Sequence, residues 1–108
     1  MPSKSPSISA TELFAQLRER VVDGPAELDR GVRRAAFSGD RVPTEAQAYT
    51  DKVRRHAYKV TESDITGLRA AGWTEEAIFE LTIVTAVGAA LSRLDMAMAV
   101  LAQAREDG

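Results

Sequence analysis

Apolar residues recur along this chain at helical intervals, and no segment alternates apolar with polar as a half-buried strand does; the pattern predicts an all-α protein. Leu13, Leu17 and Val21, with Phe14 beside them, stripe a first helix, ELFAQLRERVVDG, that ends at Gly24-Pro25. Ser9 and Glu12 ahead of it have the spacing of a capping box, in which each side chain satisfies an orphan N–H. A second, short helix, PAELDRGVRRAAF, is predicted to start on Pro25, to carry Leu28, Val32 and Ala36 inward and to stop at Gly39-Asp40. After Pro43, Thr44 is the predicted cap of a third helix, TEAQAYTDKVRRHAYKV, where the recurrence of Tyr49, Val53, His56 and Val60 puts His56 on or beside the apolar stripe. Thr61 and Asp64 make a second capping box at the head of ESDITGLRAAG. Thr74 caps the last helix, with Glu75 and Glu76 beside the positive end of its dipole.

The last helix differs from the others. From Leu81 to Leu91 it carries no charge, and small residues fill positions 86, 88, 89 and 90. A helix apolar all round is expected to be buried all round. Glu80 and Arg93 bracket only the twelve residues 81–92, fewer than the roughly 20 that span a bilayer, so no membrane span is expected. A domain this small can barely enclose such a helix alone. Leu81, Val84, Val87, Gly88 and Leu91 are therefore expected at the interface of a homo-oligomer.

The corner ITGLRAAGWTEEAIFEL, residues 65–81, has the Gly72 and Ile78 of a helix-turn-helix, but Leu68 takes the place of the usual small residue. Its second helix opens on Thr74-Glu75-Glu76, whose carboxylates repel phosphates, and then turns apolar with no face for a groove. The corner therefore reads as a packing corner. Lys52, Arg54, Arg55 and Lys59 on helix three, and Arg30, Arg33 and Arg34 on helix two, read as solvated faces or as a surface for an acidic ligand or partner, with Arg55 and Lys52 the candidate ligand contacts. No aromatic interleaves them, and no Gly-rich phosphate loop is present, which makes a nucleic-acid partner the weaker expectation.

At 108 residues the chain has the size of one domain; residues 1–8 read as a disordered tail and 9–108 as a single all-α unit. A net charge of −2 gives no global attraction to nucleic acid or anionic membrane. The absence of cysteine excludes disulfides, thiol catalysis and Cys-based metal sites, and a single histidine excludes a multi-histidine metal site within one chain. No metal or cofactor is expected. The N-terminus MPSKSPSIS lacks the apolar run of a secretory signal, and the expectation is a cytoplasmic protein.

The string HAYKVTESDITGLRAAGWTEEAIFELTIVTAVGAALSRLDMAM resembles the AhpD-like, or carboxymuconolactone decarboxylase-like, superfamily, over roughly residues 49–101. The peroxidase-related branch carries a similar V-T-x-x-D-I/V, then L-R-x-A-G, E-E-x-I-F-E and an alanine-rich helix ending near R-L. The resemblance implies a small helical bundle of about five helices with a long buried C-terminal helix, assembled as an oligomer. Peroxidase-type members use Cys-x-x-Cys, then a His after three intervening residues, with a Glu upstream, chemistry that requires sulfur. Tyr49, Lys52 and His56 have that spacing, so His56 corresponds to the motif's His with both cysteines replaced; alternatively, helix three matches a later helix of longer relatives and the motif is lost. Either way the resemblance comes without dithiol peroxidase activity.

Decarboxylase-type members act on a small lactone acid by proton transfer beside a carbonyl. For such chemistry the candidates are His56 as base, Arg55 as carboxylate clamp, Tyr49, and Glu80 as an acid from the last helix. The bland readings are a half-buried His56 at a helix contact, Tyr49 and Tyr58 at the core edge with hydroxyls in water, Trp73 plugging the corner, and Glu80 paired with Arg93 or Arg69. The leading expectation is a non-redox accessory, interaction or small-ligand-binding subunit. A cofactor-independent enzyme on a small carboxylic acid or lactone is the alternative, and nucleic-acid binding the third.

Overall fold

Five α-helices and one short 3-10 turn make up the secondary structure in a computed structural model that describes residues 9–107, with no strand among the described residues. They are α1 (Ala10–Asp23), α2 (Arg30–Ser38), α3 (Thr44–His56), the 3-10 turn Ala57–Lys59, α4 (Glu62–Ala70) and α5 (Glu75–Asp107). This is the small all-α bundle with a long C-terminal helix that the pattern predicts. The tail expected at residues 1–8 lies outside the described residues.

Local chemistry sets most helix starts. The Ser9 hydroxyl accepts from the Glu12 N–H at 3.1 Å, the Thr61–Asp64 capping box is present, and Thr74 Oγ1 accepts from the Ala77 N–H at 3.1 Å. Two starts differ from expectation. Pro43, not Thr44, occupies the N-cap of α3, and the Gln47 side chain instead accepts from the Val42 N–H at 3.0 Å. The second helix begins at Arg30 rather than Pro25, because Asp29 caps it by accepting from the Val32 N–H. It ends where Gly39 turns left-handed at φ 80°, a conformation glycine adopts without strain.

The long axis of the molecule, 51 Å, matches α5, whose 33 residues at about 1.5 Å each span about 50 Å. Helices α1 to α3 pack on its first half. Ala77, Ile78, Leu81, Val84, Thr85, Gly88 and Ala89 face inward there, against Val22, Leu28, Ala36, Ala46, Tyr49, Val53 and Leu68. From Asp95 to Asp107 every residue is exposed. Within the single chain one face of its first half is covered, while Phe79 and Ile83 on the other sides are 60% and 40% exposed. Leu81, Val84 and Gly88, expected at an oligomer interface, are already covered by the chain's own helices; Val87 and Leu91 are half-buried. An 18-residue window of α5 reaches a mean hydropathy of 1.6 and is apolar enough to cross a bilayer by length and composition, which the charge-free run alone was too short to suggest. A share of 39% of that window is buried in the protein, and the core helix of a soluble protein passes the same test.

The crossing of α2 over α5 is the tightest contact. A Cβ on Gly88 would lie 2.1 Å from the Phe37 carbonyl oxygen. The Arg54 guanidinium donates to the Phe37 and Ala36 carbonyls at 2.8 and 3.0 Å, holding the end of α2 down on that glycine. The first helix lies on α2 and α5 with only part of its expected stripe facing them: Leu13 is 53% and Leu17 38% exposed, while Val21 of that stripe, with Phe14 and Val22, makes the contact. At the corner, Leu68, Ile78 and the half-buried Trp73 pack together, with Gly72 left-handed at φ 100° and the Trp73 N–H donating to the Leu68 carbonyl. The corner does pack.

Gly88→Ala is expected to destabilise the protein by about 2 kcal/mol or more in urea unfolding, as overpacking against backbone does, despite alanine's better helix propensity. Gly67→Ala is the control: that Cβ meets nothing within 4 Å inside α4, so stability should rise by about 0.5–1 kcal/mol. Asp64 supplies a third expectation. The Thr61 backbone N–H and the Lys52 ammonium hold its carboxyl below the usual value of 3.8. A depressed folded-state pKa contributes stability that is fully present above 3.8 and is lost as the pH falls through the lower folded value. Thermal melts between pH 2 and 5 should show Asp64→Asn losing part of the wild type's acid sensitivity.

Candidate functional site

Tyr49, Lys52 and Glu80 are held by separate structural contacts, while His56 and Arg55 are exposed. Tyr49, on the inner face of α3 and only 5% exposed, places its hydroxyl 2.6 Å from Thr82 Oγ1. Thr82 itself donates to the Ile78 carbonyl at 2.7 Å, so the Tyr49 hydroxyl is the donor of the pair. That hydroxyl ties α3 to α5 rather than facing water. His56 ends α3 and is exposed, its ring edge-on to Tyr58 at 6.0 Å, and Tyr58 is itself exposed. The expectation that His56 lies on the apolar stripe is corrected: α3 gives way to the 3-10 turn just after it, and the backbone rotates the ring outward.

Lys52 is engaged as well. Its ammonium lies 3.0 Å from both Asp64 carboxylate oxygens, joining α3 to the start of α4, where Asp64 also accepts from the Thr61 N–H at 2.8 Å. Arg55 is exposed on α3. The basic cluster of helices two and three is dispersed in the same way. Arg30 and Arg34 approach Asp23, Arg54 caps α2, and Arg33 is 5% exposed inside the fold.

Glu80 and Arg33 form the most elaborate polar arrangement in the protein. Glu80 projects from α5 to residues 27 and 28, where its carboxylate accepts from the Leu28 N–H at 2.7 Å and the Glu27 N–H at 3.1 Å. Arg33 enters from α2 and donates to the carbonyls of Leu28 at 2.9 Å and Gly24 at 2.8 Å, with a longer bond to Val21. Together they satisfy both polarities of the backbone between α1 and α2. Glu80 is thus an anchor for this connection and is not paired with Arg93 or Arg69: Arg93 donates to the Arg54 carbonyl and Arg69 pairs with Glu75. Burial pushes the Glu80 carboxyl up, but the two amides, a bond to Glu76 and the nearby Arg33 together bring it below the ordinary glutamate value. The partner Glu76 is raised, first by that bond to Glu80 and then by burial.

A small cleft of about 150 Å³ is lined by Glu80 with Arg33, Phe79 and Ile83, and the larger clefts lie elsewhere. One of about 450 Å³ runs between α1 and α5, lined by Phe14, Arg18, Arg54, Leu91, Ser92 and Asp95 among others. A second of about 490 Å³ opens on the other side of Arg18, whose guanidinium stands 5.4 Å above the Phe37 ring. Neither is lined by Tyr49, His56, Lys52, Arg55 or Glu80. Among the described residues no group of acidic and histidine side chains is placed to hold a metal ion. The sequence signal for Glu80 was its position as the one charge in an apolar stretch; for Arg33 no local signal marks burial.

Glu80→Gln keeps the shape but replaces one accepting oxygen by a donor facing a backbone N–H. Urea unfolding should show a loss of roughly 1 kcal/mol, the low end for weakening hydrogen bonds to a charged acceptor, since one donor is exposed and the other part-buried.

No family model, curated protein or solved structure matches this chain, so its own geometry carries the functional reading.

Proposed function

We propose that this protein is a non-redox assembly subunit, a Cys-less divergent member of the AhpD-like superfamily that acts by binding other protein surfaces rather than by catalysis. The observation that supports this most directly is the half of α5 that leaves the bundle. Met96, Met98, Val100 and Leu101 are each between 57% and 68% exposed there, and Leu13, Leu17, Phe79 and Ile83 add further exposed apolar area. Beyond Asp95 these apolar side chains stand on several sides of a helix that no other element of the described chain covers, an arrangement that contact with another protein surface would bury.

The catalytic alternative needs His56, Tyr49 and Glu80 to converge on one substrate. The first is exposed at a helix end, the second bonds Thr82 inside the bundle, and the third holds the α1–α2 connection. Their other engagements favour the assembly reading. Nothing in the dispersed arginines favours the nucleic-acid alternative.

Native mass spectrometry of the protein gently purified from its own cells tests the reading. A multiple of the chain or a stoichiometric second protein is expected, and His56→Gln should leave both assembly and stability unchanged, within about 0.5 kcal/mol. A bare monomer at all concentrations, or a small-acid turnover abolished by His56→Gln, contradicts it.

A further inference from the structure

Along α5, two residue classes alternate with a seven-residue period. Val87, Leu94 and Leu101 are large; Ala90, Ala97 and Ala104 are small; each set repeats every seventh residue, and the spacing between sets alternates three and four. Ile83 precedes them at the alanine phase. At 100° per residue this seam lies opposite the inward face made by Leu81, Thr85 and Gly88. The chain's own helices take one side of α5, and the heptad seam occupies the other. Beyond Asp95 no other element of the described chain covers it.

We infer that the occupant of this seam is a second copy of α5, running antiparallel and overlapping the projecting halves of the two helices. This rests on the reading of the protein as an assembly subunit. The direction follows from the alternation. In a parallel pair, layers of alanine against alanine alternate with layers of leucine against leucine, leaving gaps beside crowding. Antiparallel pairing sets each leucine against the partner's alanine, so every layer has the same volume. With Leu94 opposite Ala104 and Ala97 opposite Leu101, four such layers fall within residues 94–104.

Charge selects the same register. Arg93 and Asp107 are fourteen residues apart, at the same heptad position flanking the seam. Antiparallel helices bring like flanking positions together, so Arg93 of one copy meets Asp107 of the other, and the two Val100 side chains meet at the centre. Arg93 spends one N–H on the Arg54 carbonyl and keeps others for this contact. The overlap also keeps the two bundles at opposite ends of the paired segment. The exposure of Met98, Val100 and Leu101, more than half of each side chain's surface, is then the exposure of a separated half.

The absence of cysteine makes a cross-linking test clean. Full-length protein at about 100 μM should sediment at twice the chain mass. Val100→Cys, oxidised in air, should run mostly as a covalent dimer, whereas Ala90→Cys should stay single, since its own counterpart lies about 27 Å away along the axis at 1.5 Å per residue. Leu101→Glu, at a site exposed in the single chain, should halve the sedimenting mass while the helical circular dichroism is kept. Cross-linking through Ala90→Cys would overturn the inference, since it reports parallel pairing or another register. Wild-type protein that stays monomeric but co-purifies with a second protein would overturn the self-pairing and leave the assembly reading standing. Monomeric protein that floats with phosphatidylcholine vesicles would overturn both and assign the seam to lipid.

Discussion

The contact between the Gly88 Cα and the Phe37 carbonyl is the constraint on which the arrangement of helices depends. Two helix axes approach closely only where one lacks a side chain, and any Cβ at 88 would enter the carbonyl oxygen. With α2 seated there, Arg54 reaches its C-terminal carbonyls from α3, and Arg93 of α5 reaches the Arg54 carbonyl in turn. Three helices thus meet in one polar knot above an apolar floor. The alanines at 36, 46 and 89 extend the close packing on either side.

Glu80 and Arg33 do the corresponding work at the other end of the contact. The segment between α1 and α2 has no regular structure of its own to pair its amides and carbonyls. A carboxylate from α5 takes two amides and a guanidinium from α2 takes up to three carbonyls. The result places the candidate catalytic acid in a structural role, and the same holds for Tyr49 with Thr82 and Lys52 with Asp64. With its polar groups committed to holding helices together, the bundle presents its exposed apolar face as its most distinctive surface, and this underlies the proposed assembly role.

Much of the fold was legible because it depends on near neighbours. Ser9, Thr61 with Asp64, Thr74 and Gly39 mark their helix ends through bonds spanning a few residues, and Leu68, Ile78 and Trp73 fold into the packing corner that the apolar spacing describes. What escaped depends on distant partners. The start of α2 moved from Pro25 to Arg30 because residues 27 and 28 bond to a carboxylate more than fifty positions away. Arg33 looks like any surface arginine until the carbonyls of α1's end surround it. Reading α5 as apolar on every side passed over the difference between its two faces: one packs on the chain's own core, and the other carries an alternating heptad pattern of large and small residues. The site residues were less legible than the fold, since a residue type can suggest a chemistry but its hydrogen-bond partners are set by tertiary geometry.

Hydrogen exchange along α5 as a function of protein concentration tests most directly whether this one helix serves two partners. The account predicts that amides from Ile78 to Ala89 are protected to the same degree at low and high concentration, while those from Leu94 to Ala104 gain protection as concentration rises. Protection that is uniform along the helix and independent of concentration would contradict it.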